Sequence, residues 1–279
     1  GGWRKRQDQT MYLEYYGLKE APFNITPDPK FVHFSRRHRE AYDHLLYGIT
    51  HRKGFVSLVG EVGSGKTTLC RSVLSALPGD VVTGLILNPA LTDTQLLRAV
   101  LRDFGIRVRR RDRLSYLEEL NDFLLEQNGA GRNVTLIIDE AQDLSLSAME
   151  QVRLLNNLET DRQKLMQIVL VGQPELEEKI RRPELRQLRQ RIMVQARLHA
   201  LEKEEVAGYL RHRLHIAGAG ERIAFDDAAV KGIHRRTGGS PRLINRLADA
   251  ALMAAFLAES SRVGAREIRR GWKHLEART

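Results

Sequence analysis

Apolar positions along the chain follow two different rhythms. At residues 55–59, 81–87, 134–138, 165–171 and 192–198 they form short, nearly unbroken runs, the pattern of strands buried within a sheet. Between these runs they recur at helical spacing, over residues 35–51, 66–77, 92–104, 114–127, 147–158 and 174–180. In the first of these helices Ala41, Leu45, Leu46 and Ile49 mark the inner face, and Ser35 is the candidate N-cap. Strands alternating with helices predict a parallel sheet covered on both faces.

The strand rhythm stops after Leu201. Four helical segments follow, at 203–217, 226–237, 241–259 and 265–275, punctuated by Gly218-Ala219-Gly220 and Gly238-Gly239. The expected organisation is therefore an α/β domain over residues 11–200 and a small all-α domain over 201–279. Residues 12–30, with Gly17, Pro22, Pro27 and Pro29, predict an extended, turn-rich lead-in. The first ten residues differ in character from the rest, and their Gly-Gly start reads as a tag remnant or a disordered tail.

Composition narrows the class. The chain of 279 residues is 42% hydrophobic and 29% charged, which suits a soluble protein with a proper core. One cysteine, Cys70, excludes an internal disulfide and leaves no zinc spacing, so a reducing cytoplasmic compartment is expected, with Cys70 as a packed thiol. No apolar run is long enough to span a bilayer; attachment to the inner membrane is expected only at its periphery, through partners or a missing C-terminal segment. A formal net charge of +10 favours polyanionic ligands: nucleotides, nucleic acid or acidic lipid.

The chemistry gathers in two motifs. Gly60-Glu61-Val62-Gly63-Ser64-Gly65-Lys66-Thr67, followed by Thr68, fits G-x-x-x-x-G-K-[ST] between a predicted strand and a predicted helix. Glycines there let backbone N–H groups converge on phosphate oxygens, Lys66 reaches the β and γ phosphates of ATP, and Thr67 offers a hydroxyl to Mg²⁺. The second motif, Thr135 to Glu140, ends a buried strand in two carboxylates. Asp139 is the expected magnesium-side ligand and Glu140 the expected base for the attacking water.

Other residues join more loosely. Gln173 follows the 165–171 strand and is either a γ-phosphate or lytic-water contact or an ordinary loop amide. Asn88 ends the 81–87 strand, as a tether for Glu140 or a plain turn residue. Arg181, Arg182, Arg186, Arg189 and Arg191 crowd one segment, with Arg191 and then Arg189 as candidates to reach a neighbouring subunit's nucleotide. Arg242 opens the helix after Gly239-Ser240-Pro241, placed either to contact phosphate or to pack on a helix.

With these residues assembled, the chain resembles the AAA+ ATPases of the P-loop NTPase class. The narrower likeness is to the ATPase domain of the GspA/ExeA secretion proteins and to the transposition ATPases TnsC and MuB. It rests on Tyr16-Gly17-Leu18 with Pro22-Phe23, Thr26-Pro27-Asp28-Pro29, the phosphate loop, Asp139-Glu140-Ala141-Gln142, Leu170 to Leu176, and Gly239 to Asn245. The resemblance implies sensor roles for Gln173 and Arg242, arginine fingers near Arg189 and Arg191, and adenine packing around Phe31 and His38. It also implies a helical lid, and ring or filament homo-oligomers with ATP at subunit boundaries.

Two functions compete at this stage, beside a third reading as a nucleotide-binding regulator that barely hydrolyses. One is an ATP-driven factor that assembles or remodels an envelope or secretion machine through protein partners. The other is an ATPase that forms filaments on double-stranded DNA, with Arg107, Arg109, Arg110, Arg111 and Arg113 as the basic loop. A solvated turn is the alternative reading of that loop.

Overall fold

The computed structural model describes residues 11–26, 28–87, 89–110, 112–159 and 164–277. The proposed tail at 1–10, Asn88 and Arg111 lie outside them. Contacts divide the described chain into two compact units. One comprises residues 36–61 and 69–198; the other comprises 11–35, 62–68 and 199–277.

The first unit is built on five strands, β1 (Phe55–Gly60), β2 (Val81–Ile86), β3 (Asn133–Ile138), β4 (Met166–Gly172) and β5 (Ile192–Leu198), in the order β2-β3-β4-β1-β5 and all parallel. Burial explains the two kinds of strand sequence. β1, β3 and β4 occupy the interior of the sheet and are buried at every position, so they read as mostly apolar runs, broken by the buried Ser57, Asn133, Thr135 and Gln167. The edge strands β2 and β5 alternate in burial. Register brings Ile138 opposite Leu170 and Val59 opposite Gly172, so β3, β4 and β1 deliver their carboxyl ends to the same end of the sheet, β3 stopping two residues short of β4.

The helices of this unit are α2 (Arg36–Thr50), most of α3 (Lys66–Ala76), α4 (Asp93–Asp103), α5 (Arg113–Gly129), α6 (Leu146–Leu155), α7 (Pro174–Ile180) and α8 (Arg186–Arg191). Their starts are capped by local chemistry: Thr92 and Gln95 form a capping box on α4, Asp112 accepts from Ser115 N on α5, and Ser145 accepts from Ala148 N on α6. Each such cap contributes about 1 kcal/mol. Leu96, Leu97, Leu101, Leu120, Leu124 and Met149 fill the core against β3 and β4. Cys70 is buried, as its place in an apolar run led us to expect. The arginine-rich segment forms α8, which periodicity had not predicted, because Leu185 and Leu188 bury one side of a polar helix.

The second unit is mainly helical: α9 (Lys203–Ile216), α10 (Asp227–Thr237), α11 (Pro241–Phe256) and α12 (Ala265–Glu276). Two differences from the sequence reading appear here. A parallel ladder joins β6 (Ala224–Phe225) to β7 (Arg262–Val263), each too short to register as a periodic signal. The lead-in, assigned above to the sheet domain, clusters with these helices. It is also less extended than predicted: residues 11–16 form a helix (α1) and Pro29–Phe31 a 3-10 turn.

The reason lies in its aromatics. Tyr12 and Tyr16, four residues apart on α1, are fully buried together with Phe23 and Phe31 against Val206, Leu210, Leu247 and Leu252, and each buried aromatic contributes about 2–3 kcal/mol. Polar ties finish the attachment. The Tyr12 hydroxyl donates to Asp249 (2.8 Å), and the buried Arg213 guanidinium donates to Pro22 O (2.5 Å) and Asn24 O (3.0 Å) while covering the Phe31 ring at 4.7 Å.

Arg213→Ala is therefore expected to lower the stability of this unit by about 2–4 kcal/mol, since it leaves the buried Pro22 carbonyl without this donor and uncovers the Phe31 ring as well as removing a charge. Arg213→Lys rescues little, because an ammonium cannot span both carbonyls and stack on the ring. Protease cleavage before residue 35, timed alongside a thermal melt, checks this; unchanged cleavage in Arg213→Ala rejects it.

Candidate active site

The phosphate-loop motif leaves β1 at Gly60 and enters α3 at Lys66. Gly63 and Gly65 have φ of +76° and +99°, left-handed conformations that side chains resist. Gly63 has a second constraint, since a Cβ there would lie 2.5 Å from Arg242 Cβ. Arg242 also donates its backbone N–H to Gly63 O (3.2 Å), so the first turn of α11 lies directly against the loop. Lys66 and Ser64 are buried, Thr67 and Thr68 half-buried, and Glu61 and Val62 exposed.

At the end of β3 the backbone continues through Asp139, which is 5% exposed and donates its N–H to Ile86 O (2.8 Å). Glu140 then turns left-handed, with φ +52° and ψ +39°. For a non-glycine residue this conformation costs about 1–2 kcal/mol and persists only where neighbours hold it. They do so through its side chain. Glu140 Oε2 accepts from Gln142 Nε2 (2.8 Å) and from Gln173 Nε2 (3.1 Å), while Gln142 Oε1 accepts from the Gln173 backbone N–H (3.1 Å).

The turn is gripped at a second point. Lys179, at the far end of α7, donates to the carbonyls of Gln142 and of Leu144, the latter at 2.7 Å. Glu140 and Gln173 are thus brought together, and two residues outside the predicted set, Gln142 and Lys179, assemble the site around them. Gln142 carried a faint signal, two positions beyond Glu140 within one motif. Lys179 carried none, because its partners are backbone carbonyls.

The remaining candidates scatter. Phe31 and His38 are both buried but belong to different units, and the Phe31 ring is covered by Arg213. The Arg191 guanidinium donates to Asn157 Oδ1. Arg189 is exposed, with one long bond to Arg181 O at 3.3 Å. In the basic loop Arg113 donates to Gln151 (2.6 Å) and Arg109 pairs with Glu119 (3.5 Å), while Arg107 and Arg110 are exposed. Among the described residues no group of three or more His, Cys, Asp or Glu is placed to hold a metal ion.

Residues 49–180 match the AAA domain family. The chain is 46% identical over 254 residues to general secretion pathway protein A of Aeromonas hydrophila, a match covering 91% of this chain. The chain belongs to the AAA+ ATPases of the secretion-protein-A type. It spans about half of that relative, 46% of its length.

The AAA+ fold is also evident in solved structures of low identity. Aeropyrum pernix ORC2 in ADPNP-ADP complexes aligns with a TM-score of 0.63 at 16% identity, covering 91% of this chain and 73% of that one. Cdc6p of Pyrobaculum aerophilum aligns with a TM-score of 0.65 at 17% identity, covering 94% and 70%. The Thermotoga maritima RuvB Holliday junction branch migration motor aligns with a TM-score of 0.55 at 19% identity, covering 85% and 69%. No described helix of this AAA+ chain is long and apolar enough to cross a membrane.

Proposed function

We propose that this chain is a magnesium-dependent, oligomerising ATPase that drives assembly or remodelling of a bacterial envelope or secretion machine. The observation that carries the reading is the Glu140 carboxylate, held by two amides at the sheet edge from which the phosphate-loop strand also emerges. The identity to the Aeromonas secretion protein supports the envelope setting.

The loop suits a triphosphate. Left-handed glycines at 63 and 65 are compatible with an anion-binding nest of N–H groups, and the buried Lys66 stands at the first turn of an eleven-residue helix. In this reading residues 60–68 bind the phosphates, and Glu140 takes the proton from the attacking water. Gln173 orients that water or the terminal phosphate. Bound magnesium supplies charge neutralisation at the β and γ phosphates, with the Thr67 hydroxyl and the Asp139 carboxylate as the residues that would hold it.

Arg242 reads as the lid's phosphate sensor, since its backbone already touches the loop. For an arginine acting on a neighbouring subunit, Arg189 has better support than Arg191, whose guanidinium is engaged by Asn157. The double-stranded DNA alternative keeps Arg107 and Arg110, which are exposed, whereas Arg109 and Arg113 already have partners.

One experiment tests both readings: phosphate release from magnesium ATP and particle size, with and without duplex DNA, at two salt concentrations. Magnesium-dependent release with larger particles in ATP, indifferent to DNA, is expected. A DNA-stimulated rate that falls steeply with salt transfers the reading to a filament on DNA. No release in any condition rejects the enzyme.

A further inference from the structure

The hydrogen bonds around Glu140 form a closed circuit rather than a simple contact. Starting from the carboxylate, Gln142 Nε2 and Gln173 Nε2 both donate to the same oxygen, Oε2. The Gln142 side chain then returns, through Oε1, to the backbone N–H of Gln173. Gln173 is the residue immediately before α7, and Lys179 at the other end of α7 holds the carbonyls of Gln142 and Leu144. The turn that carries Glu140 is therefore fastened to both ends of one helix.

The backbone beside the circuit leaves room for it. A Cβ on Gly172, the last residue of β4, would lie 2.8 Å from Gln142 Oε1. The same Cβ would lie 2.9 Å from Leu176 Cβ, so glycine at 172 makes room for α7 as well as for the amide.

We propose that Gln142 is a positioning residue: a latch that ties the Glu140 carboxylate to the start of α7, so that the base and the Gln173 amide change pose together. The inference rests on the reading of Glu140 as the base. One amide of Gln142 spans the two parts: its nitrogen holds the base, and its oxygen holds the backbone of the residue that would sense the terminal phosphate. A movement of Gln173 is then felt at Glu140 through two paths, and only one of them is Gln173's own side chain. Loss of Gln142 removes one of the two amides at Oε2 of a left-handed glutamate, and its carboxylate pose loosens.

The test is a set of kinetic and binding measurements on Gln142→Met, Gln173→Met, the double variant and Glu140→Gln. Methionine keeps the length and volume of the side chain and removes the amide, and Gln142 is half-buried, so the fold is expected to survive. Gln142→Met is expected to lower kcat about tenfold while KM and the Kd for magnesium ATP stay within about twofold and the melting temperature within about 2 °C. In the double variant the loss is expected to be clearly smaller than the product of the two single losses, because both residues act on one oxygen.

Turnover within twofold of the parent in Gln142→Met, or losses that simply multiply, overturns the latch. So does a fall in kcat, affinity and melting temperature together, which marks a merely structural residue. Glu140→Gln separates the two levels. If it is inactive while Gln142→Met is fully active, the latch alone fails; if Glu140→Gln turns over normally, the base assignment fails and the latch with it.

Discussion

Lys66→Ala is expected to weaken the binding of magnesium ATP by about a hundredfold or more. An ammonium that bridges two phosphate groups makes charge-assisted hydrogen bonds worth about 1.5–3 kcal/mol each, and about 1.4 kcal/mol is a factor of ten in affinity. The backbone donors of the loop remain, so residual binding survives at high nucleotide concentration. The substitution is mild for the fold: Lys66 opens α3, where alanine is a good helix former, and Gly63 and Gly65 keep their left-handed turns. Titration calorimetry with a nonhydrolysable ATP analogue, paired with a thermal melt, reads the effect. A dissociation constant within threefold of the parent, in a folded variant, would remove the loop from the phosphate site.

The parts legible in the sequence are those whose physics is local. β1, β3 and β4 were readable because interior parallel strands are buried at every position and mostly apolar, and β1 with its glycine loop and following helix forms one unbroken signature. Glu140 was readable because two acids at the end of a buried strand need a reason. What escaped depends on tertiary partners. Tyr12 and Tyr16 sat among turn-formers, so the lead-in read as extended, whereas their burial against α9 and α11 makes residues 11–16 helical. Leu185 and Leu188 are two apolar residues among arginines, too few for periodicity to reveal α8. Gln142 is an ordinary amide until β4 brings Gln173 beside it, and Lys179 answers to carbonyls, which every residue has.

Glu140→Gln is expected to keep nucleotide affinity within about threefold and to lower turnover by about a hundredfold to ten-thousandfold, the range that a positioned general base contributes. The two properties separate because the substitution is nearly isosteric. The amide oxygen of glutamine still accepts from Gln142 and Gln173, so the left-handed turn and its ties to α7 are retained, while the group that takes the water's proton is lost. Charge also changes in a way that does not favour release of nucleotide: removing a negative carboxylate beside a polyphosphate lowers repulsion, so affinity is expected to hold or rise slightly. A variant that binds ATP and stalls also shows whether assembly follows binding or hydrolysis, since its particles in ATP are expected to be at least as large as the parent's. Phosphate release, equilibrium binding and light scattering on the same preparation give the three readouts. Turnover within threefold of the parent would take the proton-accepting role away from Glu140 and leave the two amides holding a residue whose charge, rather than basicity, matters.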